Sequence, residues 1–303
     1  MSKRIISFFL AFSVLLFCFG SSVQAEQARI MVSFYPIYIL ALNVFNGVNE
    51  ISLDCMTAPD TGCLHDYQLL TKDMIKLSDA DALIVCGAGM EAYLDDVIAQ
   101  FPELKIIDCS QGINLIPEND HDEDHDDHEH EHEYNAHTWL DVQNAIQIVR
   151  TIADYASELY RDQSAQIQEN ADAYIRRLQA LDEQLKEKLL PVQGEKIVTF
   201  HEAFPYFARA YGLEIAAVIN EEHENTLSPA KLTEVIEAVK AAGNPPLFTE
   251  PQYNDAAAFA VAAETGAQIY TLDPLASGIV DPEAYEAGML QNAEALLAAF
   301  GEK

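Results

Sequence analysis

The chain has 303 residues, with 49 acidic side chains against 17 basic ones and a formal net charge of −32. So acidic a surface argues against nucleic acid as a partner and in favour of cations.

Lys3 and Arg4 precede an apolar stretch from Ile5 to Gly20, and Val23-Gln24-Ala25 follows it. A basic head, an apolar middle and a small-x-small end describe an export signal, residues 1–25, cleaved after Ala25. The stretch is short and wrongly flanked for a membrane span, and no later segment approaches ~18 unbroken apolar residues. The mature protein is therefore expected outside the cytoplasm, in the periplasm or at the outer face of the cytoplasmic membrane. Cys18 offers lipid attachment as an alternative, although Phe17 before it suits that cleavage poorly. The length that remains is at the upper end for one core, so two domains are expected.

Short β-rich runs then alternate with helical patterns. Strands are predicted at Arg29–Phe34, Glu50–Leu53, Ala82–Cys86 and Leu104–Asp108, with helical patterns at Leu70–Leu77 and Glu91–Gln100. Strand–helix alternation argues for an α/β fold with parallel sheets. Residues 118–134 break the rhythm: they read ENDHDEDHDDHEHEHEY, with His121, His125, His128, His130 and His132 among ten acids. No packed core can be built from that run, but imidazoles and carboxylates together hold divalent metal at low affinity.

From Asp141 to Leu190 there is neither Gly nor Pro. Ile148, Ile152, Tyr155 and Leu159 follow helical spacing, as do Ile167, Ala171, Tyr174, Leu178, Leu181 and Leu185 in the run Gln163–Leu190. At 1.5 Å per residue the second run reaches ~40 Å, long enough for a strut between lobes. The alternation then resumes, with strands predicted at Lys196–Phe200, Glu214–Ile219, Leu247–Thr249 and Gln268–Leu272. Helices are predicted at Ala203–Tyr211, Ser228–Ala242, Asn254–Glu264 and Asp281–Ala299, with Ser228-Pro229 as a start signal. The expected organisation is an N-terminal lobe over 26–162, a linking helix over 163–190 and a C-terminal lobe over 191–303.

Cys55, Cys63, Cys86 and Cys109 remain after cleavage. An even count in an oxidising compartment suggests disulfides, and spacing allows three connectivities. Cys55–Cys63 is the favoured pair, closing a short loop just before His65. Cys86 and Cys109 each end a predicted strand and meet if those strands are neighbours. A zinc cluster is the competing reading, although no CxxC pair exists.

Four histidines stand apart from the acidic run: His65, His137, His201 and His223. His201 follows KIVTF and Asp273 follows QIYTL, so both lie at the carboxyl ends of strands, where open α/β sheets place ligands. Three imidazoles and a carboxylate make a four-coordinate set with zinc-like preferences.

The segments GCLHDYQLL, AHTWLD, FHEAFPYFA, FTEPQYN and TLDPLAS, in that order, resemble the metal-binding lipoproteins of ABC importers. Specifically, they resemble the zinc-uptake, ZnuA-like branch of the TroA-like (cluster A-I) solute-binding proteins. SFYPIYILALNVF also fits, so the resemblance spans the mature chain. The histidine-rich insertion matches zinc members, which carry one where manganese members generally lack it. The resemblance implies a class III periplasmic binding protein: two Rossmann-like lobes joined by a rigid backbone helix, with metal between them. It implies a non-enzymatic monomer that captures Zn2+ and delivers it to an ABC permease and its ATPase. It implies His65, His137, His201 and Asp273 as ligands, with Glu250 and His223 in reserve. Glu250, together with Glu202 and Asp66, is expected to orient ligating imidazoles. A manganese-specific member of the same family is the alternative, ahead of an exported zinc hydrolase, a metal buffer or an adhesin.

Overall fold

The alternating pattern resolves into two parallel sheets in the computed structural model, which describes residues 27–64, 67–118, 134–219, 228–252 and 256–301. The first sheet comprises β1 (Ala28–Val32), β2 (Ile51–Cys55), β3 (Ala82–Val85) and β4 (Lys105–Asp108), in the order β2-β1-β3-β4. The second comprises β5 (Lys196–Thr199), β6 (Glu214–Val218), β7 (Leu247–Thr249) and β8 (Ile269–Thr271), in the order β6-β5-β7-β8. The two halves thus repeat one strand order. In each, the chain reverses direction across the sheet beside the first strand, which opens a crevice at the carboxyl ends.

Parallel strands are covered on both faces, and the side chains divide accordingly. In β3, Ala82 and Ile84 join the large central core, while Leu83 and Val85 join a smaller cluster under α2 (Thr71–Ser78) and α3 (Asp95–Ile98). In β5, Ile197 faces the central core and Val198 faces the opposite cluster with Val235, Val239 and Val261. The last three lie on α7 (Pro229–Ala241) and α8 (Ala256–Thr265). Ser228 caps α7, accepting from Lys231 N at 3.2 Å, with Pro229 at the first position.

The helix α1 (Tyr35–Val44) has no counterpart among the predicted elements. Eight of its ten residues are buried, so no polar face marks its period. It packs on α4 (Val142–Leu159), α5 (Ser164–Leu189) and α9 (Ala284–Gly301). The 26-residue α5 buries Ile167, Ala171, Tyr174, Leu178, Leu181 and Leu185 along one stripe. It touches α4 on one side, and α9 and α6 (Pro205–Tyr211) on the other. The central core is therefore continuous, from Val32 and Ile84 through Leu178 to Ile197 and Phe248.

Hydrogen bonds across this junction restrict it further. Trp139 is fully buried and donates Nε1–H to Pro274 O at 2.7 Å, while Tyr285 Oη donates to Trp139 O at 2.7 Å. Tyr35 Oη donates to Ile279 O at 2.8 Å, and Asn43 Nδ2 donates to Pro282 O at 2.9 Å. Arg177 of α5 bonds Asn43 Oδ1 at 3.0 Å and pairs with Glu286 of α9.

The expected disulfides do not form: among the described residues all four cysteines carry thiols. Cys55 is buried at the end of β2 beside Thr57 Oγ1, and Cys63 points instead at two histidines. Cys86 and Cys109 do end adjacent strands, since Val85 pairs with Asp108. Cys86 directs its S–H to Ala136 O at 3.4 Å.

Candidate metal centre

The site is built on the loops that leave the carboxyl ends of both sheets. His201 lies two residues beyond β5, and Glu250 directly follows β7, so the pair flanks the strand-order reversal of the second sheet. His137 opens the short 3-10 turn Thr138–Leu140 ahead of α4. Cys63 lies in the loop between β2 and α2. That loop is pinned by Gly278 N donating to Pro59 O at 2.9 Å and Tyr67 N donating to Leu64 O at 2.9 Å. Further along, Asp73 accepts from Leu70 N at 2.9 Å and Tyr67 Oη at 2.7 Å.

His137 and His201 are both buried, at 1% and 3% exposure, and their Nε2 atoms stand 3.3 Å apart. Each ring is oriented through its other nitrogen. His201 Nδ1 is 2.5 Å from Glu250 Oε1, which also accepts from the His201 backbone N at 3.3 Å. His137 Nδ1 is 3.3 Å from Asn135 Oδ1, which accepts from His137 N at 3.1 Å. Asn135 is itself anchored, donating Nδ2–H to Glu202 O at 2.7 Å and accepting at its own carbonyl from Tyr206 Oη at 2.7 Å. An oxygen at each Nδ1 favours the tautomer whose Nε2 can bind a metal, and the two Nε2 atoms face each other.

Electrostatics favour positive charge at this point. Burial alone lowers the affinity of the His201 ring for a proton, but Glu250 and the Cys63 thiol more than offset it, so its pKa lies well above the usual histidine value. Burial raises the Glu250 carboxyl, and the nearby imidazole pulls it back. A buried carboxylate behind an imidazole supports a cation at Nε2, proton or metal alike.

Cys63 Sγ completes a triangle with the two rings, 3.6 Å from His137 Nε2 and 3.7 Å from His201 Nε2. Cys63, His137 and His201 are the group of potential ligands, among the described residues, whose donor atoms all lie within 4.8 Å of one another. Asp273 stands outside it. Its Oδ1 accepts from Leu275 N at 2.8 Å and from Gln252 Nε2 at 3.4 Å, and burial raises its pKa. Glu250 also stands outside, behind His201. Glu202 contributes its backbone carbonyl to Asn135. His65, Asp66, His223 and the histidines of the acidic run lie outside the described residues.

The cysteine count favours Cys63 as half of a disulfide, and nothing in the sequence marks Asn135. The Cys63-Leu64-His65 spacing was a readable signal for the first. Asn135 acts through a two-residue turn, which carries no comparable signature.

The chain is 29% identical to the high-affinity zinc uptake system protein ZnuA of Brucella abortus (strain 2308), over 93% of this chain and 95% of that one. It is 28% identical to the manganese-binding lipoprotein MntA of Halalkalibacterium halodurans, over 82% of this chain and 80% of that one. Among solved structures, the Mn2+ complex of the solute-binding protein FpvC from Pseudomonas aeruginosa shares the fold. Its TM-score is 0.80 at 23% identity, over 91% of this chain and 99% of that one. The model of the zinc-uptake complex component A, periplasmic (ZnuA), matches residues 30–299, and the chain belongs to that family.

Proposed function

We propose that this protein captures a zinc ion between its two lobes, outside the cytoplasm, and delivers it to an ABC permease driven by an ATPase. The observation that carries this reading is the pair of buried, pre-oriented imidazoles, His137 and His201, contributed by opposite halves of the chain and facing each other at 3.3 Å. His65 supplies a third imidazole from the β2–α2 loop. The fourth position falls to Asp273 or to a side chain nearer the two rings, with His223 in reserve.

Nitrogen donors select against magnesium and calcium, which require oxygen. A manganese-specific role suits the site less well, because manganese favours carboxylate and water, and the converging imidazoles favour zinc. Glu250 is engaged at the Nδ1 of His201, which suits an orienting group better than the general base of a hydrolase. No helix among the described residues is long and apolar enough to cross a membrane. The protein works as a monomer that docks on its permease, free after cleavage at Ala25 or tethered by lipid at Cys18. The histidine-rich run gathers zinc weakly and passes it on.

Elemental analysis with competitive chelator titration tests this reading. The purified chain is expected to hold zinc tightly. His65→Ala, His137→Ala and His201→Ala should each weaken binding by more than about 100-fold, and Glu250→Gln by about 10–100-fold, the usual loss when a ligand's orienting partner is removed. Undiminished affinity in all three alanine variants would end the assignment.

A further inference from the structure

The triangle formed by Cys63 Sγ, His137 Nε2 and His201 Nε2 has edges of 3.3, 3.6 and 3.7 Å. A tetrahedral zinc at ~2.05 Å from nitrogen and ~2.3 Å from sulfur sets two nitrogens ~3.3 Å apart and a nitrogen and a sulfur ~3.6 Å apart. The three donor atoms therefore outline one face of a zinc tetrahedron.

We infer that Cys63 is a thiolate ligand of the transported metal and takes the vertex otherwise assigned to the Asp273 carboxylate. The inference rests on the reading of the cleft as a zinc site. Three further observations favour sulfur over that carboxylate. Cys63 is not spent in a disulfide with Cys55. Its loop is held against the second half of the molecule through Pro59 O and Gly278 N. Asp273 is not in the group of donor atoms that lie within 4.8 Å of one another, whereas Cys63 is.

The set then joins one thiolate to the two imidazoles of His137 and His201. Thiolate suits zinc, and manganese takes it poorly, so Cys63 also acts as a specificity determinant.

The test uses the reduced full-length chain loaded with Co2+ as a spectroscopic probe, and with Zn2+ in chelator competition. Wild type and Cys55→Ser are expected to show intense near-ultraviolet sulfur-to-cobalt charge transfer, and Cys63→Ser to lack it. Zinc affinity should fall by more than about 100-fold in Cys63→Ser, beyond the loss typical of an orienting partner, and by less than about tenfold in Asp273→Asn. Alkylation of wild type, read by peptide mass, needs no variant to fold: zinc should protect Cys63.

Tight zinc binding without the charge-transfer band and without protection of Cys63 would overturn the ligand assignment and leave the zinc reading standing. Failure of wild type to bind zinc at all would overturn both.

Discussion

Glu91 is buried, with Oε1 accepting from Cys86 N at 2.8 Å and Oε2 accepting from Gly87 N at 3.1 Å. The turn that brings these amides together depends on Gly87. Its φ is +80°, and a Cβ there would lie 2.0 Å from Asp108 Oδ1. Burial pushes the Glu91 carboxyl from 4.5 up to about 7, against the pull of the two amides. The unfolded chain gives up this proton near 4.5, the folded one only near 7. Folding therefore takes up a proton between those values, and stability falls as pH rises through that window. Above it the loss is constant, at about 3 kcal/mol for a change of that size. Glu91→Gln has no such proton, so between pH 4.5 and 8 wild type should lose about 3 kcal/mol relative to the variant in urea unfolding. At this scale sequence reading succeeds where a residue's position in the fold follows from its place in the chain. His201 after KIVTF is such a case. It fails for Cys63, because counting cysteines in an exported chain favours pairing, and a thiol's direction is set only by the folded loop.

The long helix α5 was readable because nothing interrupts it and its apolar residues recur at helical spacing. The strands were readable within one or two residues for the same kind of reason, β-rich runs between polar turns. By contrast α1, apolar on nearly every face, shows no period at all. Leu178 lies near the middle of α5, fully buried in the core that runs between the sheets. Leu178→Ala should cost about 2–5 kcal/mol by opening a cavity there. Because that core includes Ile84 of β3 and Phe248 of β7, unfolding should remain a single transition reported equally by probes in both halves. Two separated transitions would show that the halves are coupled less tightly than their shared core implies.

Across the whole molecule, two like sheets joined by one core hold four loops at a single crevice, and the histidine-rich run precedes His137 in the sequence of one of them. The ends of that run are already tied: Pro117 and Tyr134 form an antiparallel bridge, and Asn135 N donates to Ile116 O at 2.9 Å. Asn135 then orients His137. The composition of the run points to an affinity for metal, but carries no sign that its anchor also orients a buried ring. Excising residues 119–133 should therefore leave the bridge and the His137 ring in place. Calorimetric zinc titration of that shortened chain beside the full one tests most directly whether the transported ion is held in the cleft. The shortened chain should keep one tight zinc and lose only the weaker binding. Loss of the tight site with the run would place zinc capture in the run itself and contradict a site built on His137 and His201.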